Sequence, residues 1–214
     1  ALAAGCPSST SGATINRYCS SGLQAIVTTA QNILLGDADY GIGGGVEVMS
    51  RGGYLSTAMR TGARMGDTQL LDTMTSTLTD PFGAGHMGNT AENIAKKWGL
   101  TREDQDQLAV DSHSRAAAAI EAGRFKDEII PVTIKTRKGD TVVDTDEHPI
   151  FGTTMEALTK LRPAFEKEGT VTAGNASGIC DGAAAVILAQ VAFWNRKTPT
   201  RTNAAPRMTW IQPQ

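Results

Sequence analysis

Ala13-Thr-Ile-Asn-Arg-Tyr-Cys-Ser-Ser-Gly22 runs directly into Leu23-Gln-Ala-Ile-Val27, and this junction decides the fold. Residues 13–18 read as a short strand, β-branched at Thr14 and Ile15. From Ser20 onward Leu23, Ile26, Val27, Ala30, Ile33 and Leu34 recur at three- and four-residue steps, which predicts a helix. Ser20 or Ser21 is placed to cap its first turn, and Gly36 to end it. Tyr40-Gly-Ile-Gly-Gly-Gly-Val-Glu-Val-Met49 then reads as a buried parallel strand. Strand, helix and strand at this spacing make a βαβ unit, and the expected class is α/β with a mixed sheet. Cys19 stands at the turn from strand to helix.

Working outward, the pattern loosens from Ser50 to about Asp80. A helix is expected from about Asn89 to Trp98 with Ala91, Ile94 and Ala95 facing inward. A second opens at Thr101, with Glu103 and Asp104 in its first turn, and stops at Gly123. Residues 129–143 read as a hairpin turning at Lys138-Gly139, and 154–160 as a short helix before Pro163. Gly182–Ala189 returns to a buried-strand composition. Residues 191–214 contain no acidic residue, show no period, and are expected to be an irregular tail foreign to the rest.

The 214 residues fit one sizeable domain or one and a half small ones, and 20 basic against 22 acidic residues leave a charge of −2. Such a balance gives no footprint for nucleic acid or an anionic membrane. No apolar run approaches the roughly 20 residues that cross a bilayer. Ala1–Cys6 lacks the charged and apolar regions of a secretory leader. Three widely spaced cysteines argue against a disulfide framework and for a reducing, cytoplasmic setting. Gly supplies 23 residues, above the roughly 7% usual, so backbone approaches backbone or a ligand somewhere.

A thiol at the N-terminus of a helix lies in the positive end of the macrodipole, which favours the thiolate. The small neighbours Ser20, Ser21 and Gly22 let a carbonyl approach, and their N–H groups are candidates to hold an oxyanion. Cys19 is therefore either a nucleophile or a structural cysteine. Gly41-Ile-Gly-Gly-Gly45 invites a dinucleotide-loop reading, but no helical pattern follows it, and close strand–helix packing is the better use of those glycines. Of the histidines, His113 is expected on a solvated helix face and His148 in a loop after Asp146-Glu147. No His pair has metal-ligand spacing with a cysteine, so no metal is expected. Cys180 is read as packing and Cys6 as a bystander.

Asn16-Arg-Tyr-Cys-Ser-Ser-Gly-Leu-Gln-Ala-Ile26 resembles the active-site cysteine motif of thiolases, the acyl-CoA C-acyltransferases. Gly43–Ser50 is similar to that family's strand leading into its loop domain, and Arg64-Met-Gly-Asp67 to its oligomer-forming loop. His86-Met-Gly-Asn-Thr-Ala-Glu-Asn-Ile-Ala95 resembles the substrate-loop motif. Leu161-Arg-Pro-Ala-Phe165 and Gly169–Gly178 follow in the family's order, and Cys180 falls in a stretch resembling a structural helix start. The likeness runs from about 13 to 190, nearest to bacterial biosynthetic and broad-range β-ketothiolases.

The resemblance implies a partial thiolase N-terminal domain in 1–50 and 177–190, interrupted by an inserted α+β loop domain in 51–176. It implies ping-pong acyl transfer in which Cys19 carries the acyl group as a thioester. Leu78, His86 and Met87 would line the acyl and pantetheine channel, and Phe165, Ala173 and Ser177 would contact pantetheine and adenosine. Acyl-CoA and CoA are the implied partners, as substrates, with no cofactor, and the intact parent would be a homo-oligomer, a dimer or tetramer. The family's Gly-His-Pro, Asn-Glu-Ala-Phe and Cys-x-Gly motifs do not occur, and Ile150 stands where a basic contact to the CoA phosphates is common. The first family strands are also missing, so the chain reads as truncated at both ends. The alternative is thus a non-catalytic thiolase fragment or binding and assembly module. A decarboxylating ketoacyl synthase would also place a cysteine at such an elbow, but its downstream His and Asn motifs are absent as well.

Overall fold

Contacts divide the protein, a computed structural model described for residues 1–190 and the strand at 209–211, into two compact units. The first joins Ala1–Val46 to the segment that starts at Ala183, and the second comprises Glu47–Gly182. In chain order the elements are α1 (Ser21–Leu35), β1 (Tyr40–Val48), β2 (Tyr54–Ser56), β3 (Leu70–Asp72), α2 (Thr73–Thr77), β4 (Thr79–Asp80) and β5 (Gly85–His86). They continue with α3 (Met87–Trp98), α4 (Arg102–Glu121), β6 (Val132–Thr136), β7 (Gly139–Val143), α5 (Met155–Thr159), β8 (Asp181–Ala189) and β9 (Thr209–Ile211). The class is α/β. Apart from β9, the expected tail at 191–214 lies outside the described residues.

In the first unit α1 ends at Gly36, whose φ of 82° lets its N–H reach back to the last carbonyls of the helix. β1, β8 and β9 form one sheet in the order β1-β8-β9. Alternation along β1 turns Gly41, Gly43 and Gly45 toward α1. A Cβ on Gly43 would lie 2.9 Å from Ile26 Cα, and one on Gly45 3.2 Å from Gly22 Cα, so these glycines set how closely strand and helix pack. On the other face Tyr40, Ile42 and Val46 are exposed, and only Gly43 in β1 is buried, which corrects the expectation of a buried strand. The strand expected at 13–18 does not form either; only an isolated Arg17–Cys19 bridge does. A strand exists by pairing, and among the described strands none runs beside 13–16.

In the second unit three small antiparallel pairs (β2–β3, β4–β5 and β6–β7) flank the helices. Asp72 caps α2, and α4 opens with a full capping box between Thr101 and Asp104. The hairpin turns at Lys138-Gly139 with Thr136 opposite Gly139. The buried stripe of α3 is Gly88, Glu92 and Ala95, whereas Ile94 is exposed, so a carboxylate occupies the interior position expected for an aliphatic side chain. The most deeply buried side chains of this unit are Glu92, Asp106 and Thr172. Its interior is organised by hydrogen bonds as much as by apolar contact.

Candidate functional site

Cys19 is exposed and follows Tyr18, whose φ of 49° is left-handed, a conformation that a bulky residue adopts only when its surroundings hold it there. Those surroundings are local. Asn16 Oδ1 accepts from the Tyr18 N–H at 3.0 Å. Ser21 Oγ accepts from the Arg17 N–H at 2.7 Å and donates to the Tyr18 carbonyl at 2.6 Å. Arg17 also donates to Gln24 Oε1 at 2.6 Å, tying the elbow to the end of the first turn of α1. The result is a sharp elbow that presents Cys19 one residue before Ser20, the N-cap. Ser20 makes no side-chain capping bond, and Ser21 braces the elbow instead of capping the helix. The Ser20 and Ser21 N–H groups, expected to face an oxyanion, donate to the Arg17 and Tyr18 carbonyls at 3.1 and 3.0 Å.

The second unit brings Leu78, His86, Met87 and Phe165 together. The Met87 N–H donates to the Leu78 carbonyl at 2.8 Å. His86 is the N-cap of α3; its Nδ1 accepts from the Gly88 N–H at 3.1 Å, which leaves the ring proton on Nε2. The His86 ring stacks on Phe165 with centroids 5.0 Å apart and planes 20° off parallel. Gly88 makes that stack possible, because a Cβ there would sit 2.3 Å from the Phe165 ring. Met87 remains 42% exposed, so the cluster offers an apolar edge to a ligand.

Ala173 and Ser177 lie on the segment that follows Phe165, and both are exposed. Among the described residues no hydrogen bond or ring contact joins either to the His86–Phe165 pair. The segment doubles back on itself, with the Ala164 N–H on the Val171 carbonyl at 2.9 Å. Two buried acids then tie it to the helices. Glu92 accepts from the Thr170 N–H at 2.9 Å, the Val171 N–H at 2.8 Å and the Thr170 hydroxyl at 3.1 Å. Burial pushes the Glu92 carboxyl up, but those donors and the Lys96 charge outweigh it and hold it below its ordinary value. Asp106 pairs with Arg102 at 2.7 Å and accepts from Asn175 Nδ2 at 2.9 Å. Asn175 Oδ1 in turn accepts from the Thr172 N–H at 2.7 Å.

Glu92, Asp106 and Asn175 position the segment, and the apolar-periodicity reading did not single them out. Only the Arg102–Asp106 pair carried a local signal, an i,i+4 spacing of opposite charges. His113 is half-buried rather than on a solvated face, and its Nδ1 accepts from the Ile150 N–H at 3.2 Å. The stretch around Cys180, expected to start a helix, enters β8 instead. Among the described residues no helix is long and apolar enough to cross a membrane.

Residues 1–192 match the family model "Thiolase, N-terminal domain". The chain is 58% identical over 185 residues to the beta-ketothiolase BktB of Cupriavidus necator, covering 86% of this chain and 47% of that protein. It superposes on the acetyl-CoA acetyltransferase of Syntrophomonas wolfei with a TM-score of 0.88 at 44% identity, over 94% of this chain and 50% of that one. Human mitochondrial 3-ketoacyl-CoA thiolase in complex with CoA gives a TM-score of 0.87 at 42% identity, over 92% and 49%. The chain thus spans about half the length of the relatives it matches. It belongs to the thiolase N-terminal domain family.

Proposed function

We propose that this chain carries the acyl-accepting half of an acyl-CoA C-acyltransferase. In this reading the Cys19 sulfur attacks the carbonyl of an acyl-CoA, the acyl group moves to Sγ, and CoA leaves as its thiol. A second acyl-CoA, deprotonated at its α-carbon, then attacks the Cys19 thioester to form a 3-ketoacyl-CoA and free the thiol; the reverse is thiolysis. Sulfur suits both steps because it attacks and leaves readily. The observation that carries the reading is the strained elbow that holds an exposed cysteine at the entrance to a helix.

Leu78, His86, Met87 and Phe165 form the candidate wall for the acyl and pantetheine arm, with Ala173 and the Ser177 hydroxyl further along the same segment as nucleotide-side contacts. The CoA thioester is the substrate, and no cofactor is invoked. Residues 51–176 would be an inserted α+β loop domain, with 1–50 and 177–190 belonging to the catalytic domain; the division at Val46 and Gly182 supports that partition. An intact parent would assemble as a homo-oligomer in the cytoplasm.

A second reading rests on the absence from these 214 residues of a Gly-His-Pro histidine and a Cys-x-Gly cysteine. With no such groups to activate the thiol and move the α-proton, the chain would be a non-catalytic thiolase fragment or a binding and assembly module. Intact mass after mixing with acetyl-CoA tests both readings. One acetyl adduct, lost in Cys19→Ala, is expected, together with no measurable turnover of acetoacetyl-CoA. An unmodified mass in the native chain would refute Cys19 as the acyl acceptor, and steady turnover would refute the second reading.

A further inference from the structure

Cys180 has no part in the acyl-transfer reading, yet it is not alone. Its Sγ lies 3.3 Å from His148 Nδ1, within reach of the S–H proton. Three features place the imidazole there. A Cβ on Gly178 would stand 2.3 Å from His148 Cε1, so this glycine opens the space the ring occupies. Asp146 Oδ1 accepts from the His148 N–H at 3.0 Å and fixes the turn that carries the ring. His113 faces His148 with ring centroids 6.4 Å apart and holds the next turn through Ile150. The thiol is half-buried and free, and the imidazole is exposed. A nucleophile with a base in hydrogen-bond reach, and that base oriented by its neighbours, is the arrangement that activates cysteine.

We infer that Cys180 and His148 form a second reactive-thiol site, selective for neutral carbon electrophiles such as α,β-unsaturated carbonyls. The charge around it sets the ligand class. Asp181 adjoins Cys180, with its carboxylate accepting from the Ser50 N–H at 2.9 Å and the Ser50 hydroxyl at 2.5 Å, while Asp146 and Glu147 precede His148. The Asp181 carboxylate next to Cys180 in the chain opposes an anionic reagent and leaves an uncharged one unopposed. In the reaction the bond from Sγ to the β-carbon forms as the S–H bond breaks. The proton passes to His148 Nδ1 and from there to the α-carbon of the adduct. Nothing leaves, and no oxidant or reductant is needed.

The test is competitive labelling of the native 214-residue chain with limiting N-ethylmaleimide, each cysteine followed by peptide mass spectrometry. Cys180 is expected to react about tenfold or more faster than Cys6, short of the roughly 10²–10⁴-fold that a fully positioned general base supplies. His148→Ala should remove that advantage without changing Cys6, and added imidazole should restore part of it at Cys180 alone. Iodoacetamide should be preferred over the anionic iodoacetate more strongly at Cys180 than at Cys6. Gly178→Ala keeps His148 but displaces its ring, so it should slow Cys180 as well, and it serves as the test variant if His148→Ala does not fold. Equal rates at Cys180 and Cys6, or a Cys180 rate that neither variant changes, would overturn the site. So would a rescue by imidazole that is equal at both cysteines. Cys19 acetylation is read from a different reagent and a different residue, so either proposal can fail without the other.

Discussion

The Cys19 elbow and the segment from Pro163 to Ser177 are both fixed by hydrogen bonds, but in different surroundings. At the elbow the bonds are short-range, with Asn16, Ser21 and Gln24 acting on residues two to seven positions away, and all are exposed. In the 163–177 segment the ties span 69 to 79 residues of sequence and end on carboxylates shut away from water. A solvent-exposed bond contributes little net stability because water replaces it, whereas a buried carboxylate that loses its donors has no substitute. The 163–177 segment is therefore built into the fold of its unit, while the Cys19 elbow is a local conformation that changes with little effect on the rest.

The largest expected consequence is at Glu92. Glu92→Ala strands the Thr170 and Val171 N–H groups and should destabilise the chain by about 3 kcal/mol, read as a lower urea midpoint. Next comes Gly88→Ala, which drives a methyl into the Phe165 ring and should destabilise by about 2 kcal/mol. It should also break the His86–Phe165 stack, and weakened CoA binding by titration calorimetry would link that stack to the ligand.

A smaller effect should appear with pH. A carboxyl held below its unfolded value binds protons more weakly folded than unfolded. Its contribution is complete above about pH 5 and fades as the pH falls through about 4 and below. The urea midpoint should follow that course, and Glu92→Gln should flatten part of it. The remainder belongs to Asp72, Asp104 and Asp181, each lowered chiefly by a hydroxyl donor, from Thr75, Thr101 and Ser50 respectively. The smallest change in stability is expected for Tyr18→Gly, which relieves the left-handed backbone and should alter stability by less than about 1 kcal/mol. Its acetylation rate should nonetheless fall, because the elbow is no longer held to one shape. An unchanged rate would mean that the strain does not serve Cys19.

What was legible in the sequence follows the range of the interaction. α1 and α4 could be read because periodicity and caps are written within a few residues, as in Thr101 to Asp104 and at Gly36. The glycine alternation of β1 was legible as packing because Gly41, Gly43 and Gly45 share one face. The supposed strand at 13–18 was not, because pairing depends on a neighbour that residue types do not disclose. Ile94 and Glu92 exchanged roles for a similar reason. Hydrophobicity favours Ile94 inside, but the donors of 170–171 that make Glu92 the better interior residue lie 78 and 79 positions away. Motif resemblance named Leu78, His86, Met87, Phe165, Ala173 and Ser177 as one set, and the Met87–Leu78 hydrogen bond and the His86–Phe165 stack link only the first four, while the Cys180–His148 pair, 32 residues apart, left no spacing signature.

The glycine face of β1 has a practical corollary in the test tube. With small residues turned to α1, the strand's bulky side chains Tyr40, Ile42 and Val46 face outward at 60%, 58% and 68% exposure, and among the described strands β1 has β8 as its one neighbour. An exposed apolar face on a strand at the end of the described sheet favours association with another chain. Preparations of this polypeptide should therefore be limited by solubility before they are limited by heat. A lysine at position 42 should raise the concentration at which turbidity begins.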